Sequence, residues 1–487
     1  SLFAGQEIQE RTAYNSFNYS PVFDEEHRIV GFPEMDGIDG SEINYNALGG
    51  TGKSVSKMSS FFANASYSYL DKYILTGALR YDGSDIIGND NQFTPLWNVG
   101  LRWNLHREEF MKRWMWVDQF AVRGGFGYTG SIDKNALPFV VMTLGQSVIY
   151  DGQTVPTSFS YPNPNVKWQT KQDMNVGLDL SLFDYRLELG VNYYHNITRD
   201  VLDRKALPYS SGRSEVTENV ADIYNSGWEI DLGVTLLKNK SFQWYAKANI
   251  AINDNKVKNT YYKDTEDLPR ATLSNAHQFV ENQPVNGWYG YKFAGINPIN
   301  GAVMTYTGNG EATLDMSVSG ATWPTPSVFY LGNLTPPVVG GFSTSANWKQ
   351  LIFSANFEFK TGHKIKSFNT FRSLDARNRH TSEANRWREP GDITNVPAMS
   401  EAFTTYSSYM YDILLEKGNY LRCSYMTLGY NLKPEWLHKI GFSTARLSFT
   451  AKNLFTISSY SGIDPALMGS FGYPNSRKYT ITLNVGF

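Results

Sequence analysis

One cysteine, Cys423, stands in 487 residues. That excludes an intrachain disulfide framework and a thiolate metal cluster. Its neighbours Leu421, Arg422, Ser424 and Tyr425 read as strand, which suits a lone packed thiol. Long apolar runs are also missing. No stretch approaches the roughly 18 uninterrupted apolar residues of a membrane-spanning helix, and mean hydropathy is −0.38. An excess of one charge is missing too. Lys and Arg number 44 against 46 Asp and Glu, a net −2, so no basic surface argues for nucleic acid. No secretory leader opens the chain. Ser1-Leu2-Phe3-Ala4-Gly5-Gln6 reads as the inside of a strand, and the expectation is a mature fragment or one piece of a split protein.

Aromatics are abundant: 31 Tyr, 29 Phe and 12 Trp. Aromatic girdles at two membrane interfaces are a habit of transmembrane barrels, whose half-apolar strands escape hydropathy scans. The clearest strand is the last. Tyr479, Ile481, Leu483, Val485 and Phe487 fall on one face, and Lys478, Thr480, Thr482, Asn484 and Gly486 on the other. A period of two residues is a strand with one apolar and one polar face. Left free in water, such an edge invites aggregation. Closing a barrel puts the apolar face in lipid and the polar face in a wet lumen.

The same period marks 60–69, 72–82, 96–105, 118–128, 171–183, 185–196, 226–238, 242–254, 338–348, 351–361, 418–432, 442–454 and 476–487, with a partial strand at 1–11. Most run about 10–13 residues, long for a globular strand but suited to a tilted bilayer crossing. Connections alternate without slipping. Short ones are 70–71, 106–117, 183–184, 239–241, 349–350 and 433–441. Long ones are 12–59, 83–95, 129–170, 197–225, 255–337, 362–417 and 455–475. Short periplasmic turns and long outer loops have this pattern. A soluble carbohydrate-binding sandwich or propeller has no reason for it. The fold class expected is all-β, an antiparallel transmembrane β-barrel, with residues 1–487 one domain.

Motifs for chemistry are weak. Ala47-Leu48-Gly49-Gly50-Thr51-Gly52-Lys53-Ser54 resembles a phosphate loop, but no buried strand precedes it and no helix follows, so a Gly-rich outer loop is expected. Asp82-Gly83-Ser84-Asp85 with Asn89, Asp90 and Asn91 lacks calcium-loop spacing and reads as a turn. The seven His (27, 106, 195, 277, 363, 380, 438) form no HExxH pattern, and no G-x-S-x-G elbow appears. No enzyme, cofactor or metal is expected.

Four stretches carry a family resemblance. They are Tyr67-Ser68-Tyr69-Leu70-Asp71-Lys72-Tyr73-Ile74-Leu75-Thr76 running into Leu79-Arg80-Tyr81-Asp82-Gly83-Ser84; Arg386-Trp387 through Pro390-Gly391-Asp392 to Pro397; Gly418-Asn419-Tyr420-Leu421-Arg422, followed by Thr427-Leu428-Gly429-Tyr430; and Ala451-Lys452-Asn453-Leu454-Phe455-Thr456 with Tyr460-Ser461-Gly462-Ile463-Asp464-Pro465 and the strand to Phe487. In order and spacing they resemble the C-terminal part of the SusC/RagA family of TonB-dependent outer-membrane transporters from Bacteroidetes. The resemblance implies a barrel of about 22 strands enclosing a plug, of which this chain holds about 14. It implies import of oligosaccharides or peptides, a SusD-like lipoprotein lid, and TonB acting on an N-terminal part not seen here. A plug-bearing partner with about eight further strands, an even number, is therefore expected, from proteolysis or a separate gene.

On that view Arg186, Glu188, Asn192, Glu229, Asp231, Arg446 and Lys452 face the lumen. Trp288, Tyr289, Tyr291, Trp323, Tyr330, Arg386 and Trp387 are candidates for substrate or lid contact, through stacking and charged hydrogen bonds. The competing role for them is packing the loops. The strand from Tyr479 to Phe487 is expected to close the barrel against a strand outside this chain. A second reading is a non-transporting scaffold or adhesion barrel in the same membrane.

Overall fold

The computed structural model describes residues 1–18, 49–85, 87, 92–132, 166–207, 210, 215–260, 263, 279–314, 327–367, 384–398, 411–437, 441–468 and 472–487, with short pieces at 22–23, 29–31, 142–150 and 153–159. Fourteen strands build one sheet: β1 (Leu2–Asn18), β2 (Gly49–Tyr69), β3 (Tyr73–Ser84), β4 (Phe93–Asn104), β5 (Val117–Ser131), β6 (Gln169–Leu182), β7 (Leu187–Ala206), β8 (Glu215–Lys238), β9 (Phe242–Lys258), β10 (Val338–Trp348), β11 (Leu351–Thr361), β12 (Tyr420–Asn431), β13 (Thr444–Lys452) and β14 (Lys478–Gly486). Each pairs antiparallel with the next in chain order, and a short extra strand, Thr456–Ser458, adds to β12. Among the described residues β1 bonds only to β2 and β14 only to β13, so the sheet is an open wall.

Register follows from side-chain alternation, because a slip of one residue would swap the two faces. Across β7 and β8, Leu189 lies opposite Leu232, Val191 opposite Ile230 and Tyr193 opposite Trp228. Across β13 and β14, Leu447 lies opposite Leu483 and Phe449 opposite Ile481. This face is exposed and apolar: Leu79, Leu101, Leu428, Ile481 and Leu483 all stand open. Cross-strand aromatic pairs such as Tyr193–Trp228 (4.9 Å) and Trp97–Phe126 (5.7 Å) knit it together. The opposite face carries ion pairs, with Arg102 to Asp179 at 2.8 Å and Arg123 to the same carboxylate at 3.5 Å. Asn192 donates to Glu229 at 3.2 Å, and Arg446 to Asn431 at 2.7 Å, on that polar face. One apolar and one polar surface on a single continuous sheet is the cross-section of a transmembrane barrel wall.

The short connections all lie at one end. Left-handed residues turn them tightly, Leu70 and Asp71 in one and Phe183, Asp184 and Tyr185 in another. Side chains secure the strained backbone. Asp118 accepts from the Tyr185 amide at 2.9 Å. Glu108 accepts from the Tyr73 hydroxyl (2.6 Å), the Lys72 ammonium (3.0 Å) and the Trp103 indole (3.1 Å). Those donors, the Tyr73 hydroxyl foremost, hold its pKa at about 2.

The structure corrects several boundaries, all at the other end. β1 continues to Asn18 and β2 begins at Gly49, with Lys53 opposite Tyr14. Gly49 to Ser54 is therefore strand rather than a Gly-rich loop, while Ala47 and Leu48 lie outside the described residues. Asp82, Gly83 and Ser84 belong to β3 rather than to a turn, and Asn89, Asp90 and Asn91 lie outside the described residues. A Cβ on Gly83 would fall 2.3 Å from the Phe93 ring, so glycine lets that ring lie flat across the strand. The stretch 197–225, expected as loop, is mostly the continuation of β7 and β8. Beyond the bilayer both faces of a strand are wet. The alternation then fades although the backbone ladder continues.

Between β9 and β12 the long connections fold into a small body over the wall. Its sheets pair Gly287–Gly290 with Phe329–Asn333, join Phe293–Ile296, Val303–Tyr306 and Ala312–Leu314, and pair Lys364–Lys366 with Leu415–Lys417. Tyr289, Tyr291, Ile296, Val303, Val328 and Tyr411 form its buried core, with Trp387 and Tyr330 packed against them.

Candidate functional site

The residues proposed for contact from sequence divide by position. Tyr289 and Tyr291 are fully buried, with Tyr291 facing Tyr411 at 6.1 Å between ring centroids. Burial raises the Tyr289 hydroxyl above its ordinary pKa. Trp288 donates from its indole to the Lys364 carbonyl at 2.8 Å, and Trp387 to the Pro298 carbonyl at 3.1 Å. Gly301, at φ +72°, lies under the Trp387 ring, where a Cβ would fall 2.5 Å from it. Arg386 is half-buried beside it, and Trp323 lies outside the described residues. Of this set, Tyr330 reaches a cavity, and burial pushes its hydroxyl up to about 12.

That cavity, of about 500 Å³, sits where the outer ends of β8 and β9 meet the loop body. Its volume falls in the range of small-molecule sites. Asn225 of β8, Asn253 and Asn255 of β9, and Asn282, Asn333 and Tyr330 from the loops line it. Asn253 and Asn255 share a face because they are two apart on a strand. Asn225 pairs directly with Asn255 across the ladder. Pro284, Pro336 and Pro337 supply apolar surface. A smaller, shallower recess of about 380 Å³ on the polar face holds Asn175, Asn192 and Glu229. Tyr194 belongs to that recess and donates to Asn253 Oδ1 at 2.7 Å, linking the two.

The amides are wired in one direction. The Val285 backbone N–H donates to Asn255 Oδ1 at 2.7 Å, and Asn255 Nδ2 donates to Asn225 Oδ1 at 2.6 Å. The Lys258 ammonium donates to Asn282 Oδ1, and the Tyr330 hydroxyl to Asn333 Oδ1. Sequence reading named Tyr330 but passed over these asparagines. The signal was the spacing Asn253-x-Asn255 at the outer end of an alternating strand, opposite Asn225.

Two of the C-terminal motifs meet through side chains. Arg422 and Asp464 are both buried and paired, and Arg422 Nε donates to Thr456 Oγ1 at 3.0 Å.

Comparison with known proteins agrees with this geometry. The family model for the TonB dependent receptor-like β-barrel matches residues 2–454. The chain belongs to that family. TonB-dependent receptor P3 of Formosa agariphila is 29% identical over 465 residues, covering 88% of this chain and 45% of that protein. TonB-dependent receptor SusC of Bacteroides thetaiotaomicron is 23% identical, covering 88% of this chain and 43% of that one. The RagAB peptide importer in its open-open state superposes with a TM-score of 0.79 at 23% identity, covering all of this chain and 52% of that one. The chain thus spans about half the length of the relatives it matches.

Proposed function

We propose that this chain is the wall and outer-loop portion of a SusC/RagA-like transporter importing oligosaccharides or peptides across a bacterial outer membrane. The observation that carries the reading is the two-faced sheet with a polar, Asn-lined cavity opening at its loop end. A scaffold barrel needs the apolar face but not the cavity. Family membership and the likeness to TonB-dependent receptors and to a peptide importer support transport. The two open edges, β1 and β14, support closure by strands outside this chain, with a plug in the same missing portion. The loop body over the mouth offers the surface for a SusD-like lipoprotein, and TonB would act through the missing portion. No step here calls for catalysis.

The test is deletion of the gene for this chain, with uptake of labelled oligosaccharide and peptide pools measured in whole cells. Loss of uptake of either pool, restored by the gene and dependent on TonB, is expected. Unchanged uptake of every pool would leave the scaffold reading standing.

A further inference from the structure

The cavity lining includes an ion pair, Asp254 with Lys256 at 2.9 Å, and Thr335, whose hydroxyl accepts from Asn286 at 3.0 Å; among the other asparagines the hydrogen bonds bias what is left free. The side-chain carbonyls of Asn225, Asn253, Asn282 and Asn333 each accept from a neighbour within the protein. Their amide nitrogens donate to nothing among the described residues. Two of these orientations are fixed by donors that cannot accept. The backbone N–H of Val285 sets Asn255, which in turn sets Asn225. The ammonium of Lys258 sets Asn282. An amide whose oxygen is held this way keeps its N–H hydrogens free to donate.

Asn225 and Asn282 are held as donors, and Asn253 and Asn333 are donors while the Tyr194 and Tyr330 hydroxyls donate to them; such a set suits a ligand rich in acceptors. A peptide backbone matches less well, because each of its carbonyls comes with an N–H, and the carboxylate in the lining, Asp254, is already paired with Lys256. A sugar fits better. Its ring and glycosidic oxygens only accept. Each hydroxyl accepts while handing its own hydrogen to the next hydroxyl or to water. The half-buried Tyr330 ring and the three prolines supply apolar surface for the C–H face of a pyranose.

We infer that this cavity is a sugar subsite, in which Asn225, Asn253, Asn282 and Asn333 donate to the oxygens of an oligosaccharide lying against Tyr330. The inference rests on the import reading above and narrows its substrate to glycan.

Exchanging Asn for Asp keeps the shape and turns a donor into an acceptor. The complete transporter containing this chain is purified in detergent, as wild type and as the double variant Asn225→Asp/Asn282→Asp. Heat-modifiable gel mobility checks its fold. Both proteins are offered neutral and uronate-containing oligosaccharides and a tryptic peptide pool, with bound species read by native mass spectrometry. Oligosaccharide bound by the wild type and at least tenfold weaker in the double variant is expected, with no change in any peptide signal. A second variant, Tyr330→Ala, is expected to weaken sugar binding about tenfold.

Equal sugar binding by wild type and Asp variant overturns the subsite. Binding of peptide alone overturns the glycan assignment and leaves the import reading intact. If the wild type binds no sugar, the subsite is overturned. If cells also import neither pool, the import reading falls separately.

Discussion

Arg422 and Asp464, 42 residues apart in the chain, form an ion pair with both side chains buried. Asp464 also accepts from the Ala466 amide at 2.9 Å and the Asn475 amide at 3.3 Å, so one carboxylate pins the loop between β13 and β14. Replacing Asp464 by Ala leaves the buried guanidinium with only the half-exposed Glu358 carboxylate, 3.7 Å away. A loss of about 3–5 kcal/mol in local stability is expected, read as earlier proteolysis of the 456–468 loop. The double variant Arg422→Met/Asp464→Leu should recover part of it, since no buried charge remains and Glu358 is half-exposed.

His363 carries a pH dependence. It is buried just beyond β11, and its Nδ1 has no partner among the described residues. Burial, with Lys360 nearby, pushes its pKa below the ordinary value. A folded pKa below the unfolded one means the stability it contributes is present above about pH 6.5 and is lost as pH falls from there. Loop-body protection from protease should therefore decline between about pH 6.5 and 5 in the wild type. His363→Gln should flatten that decline.

The loop core can fail without the wall. Tyr411 and Tyr291 are completely buried in it. Tyr411→Ala should cost about 3–5 kcal/mol, as large buried aromatics do. The outer loops should become protease-sensitive while heat-modifiable mobility, which reports the barrel, stays unchanged.

The terminal strand tests which face meets lipid. Ile481 is 75% exposed on the apolar face, beside Thr482 on the polar one. Ile481→Lys should destabilise by about 2–4 kcal/mol if it lies near mid-bilayer. Thr482→Lys should be within about 1 kcal/mol of wild type. Equal effects in urea unfolding from vesicles would contradict the assignment of faces.

All fourteen strands were legible from alternation, because one face of each meets lipid and the other a wet lumen. Their outer ends were not. At Gly49 to Ser54 the local composition resembles a nucleotide loop, and only pairing with Ala13 to Asn18 makes it strand. Trp288 and Trp387 were visible as aromatics in long loops. Nothing local distinguishes a ring that packs a loop from one that meets a ligand.

Period-two patterning, loop alternation and the four motifs were enough to place this chain in a barrel wall of its family. They work because each reports a local constraint on neighbouring residues. The Asn cavity and the Arg422–Asp464 pair were decided by tertiary structure alone. Both join residues far apart in the chain, and the direction in which an amide points is set by a partner from another strand or loop.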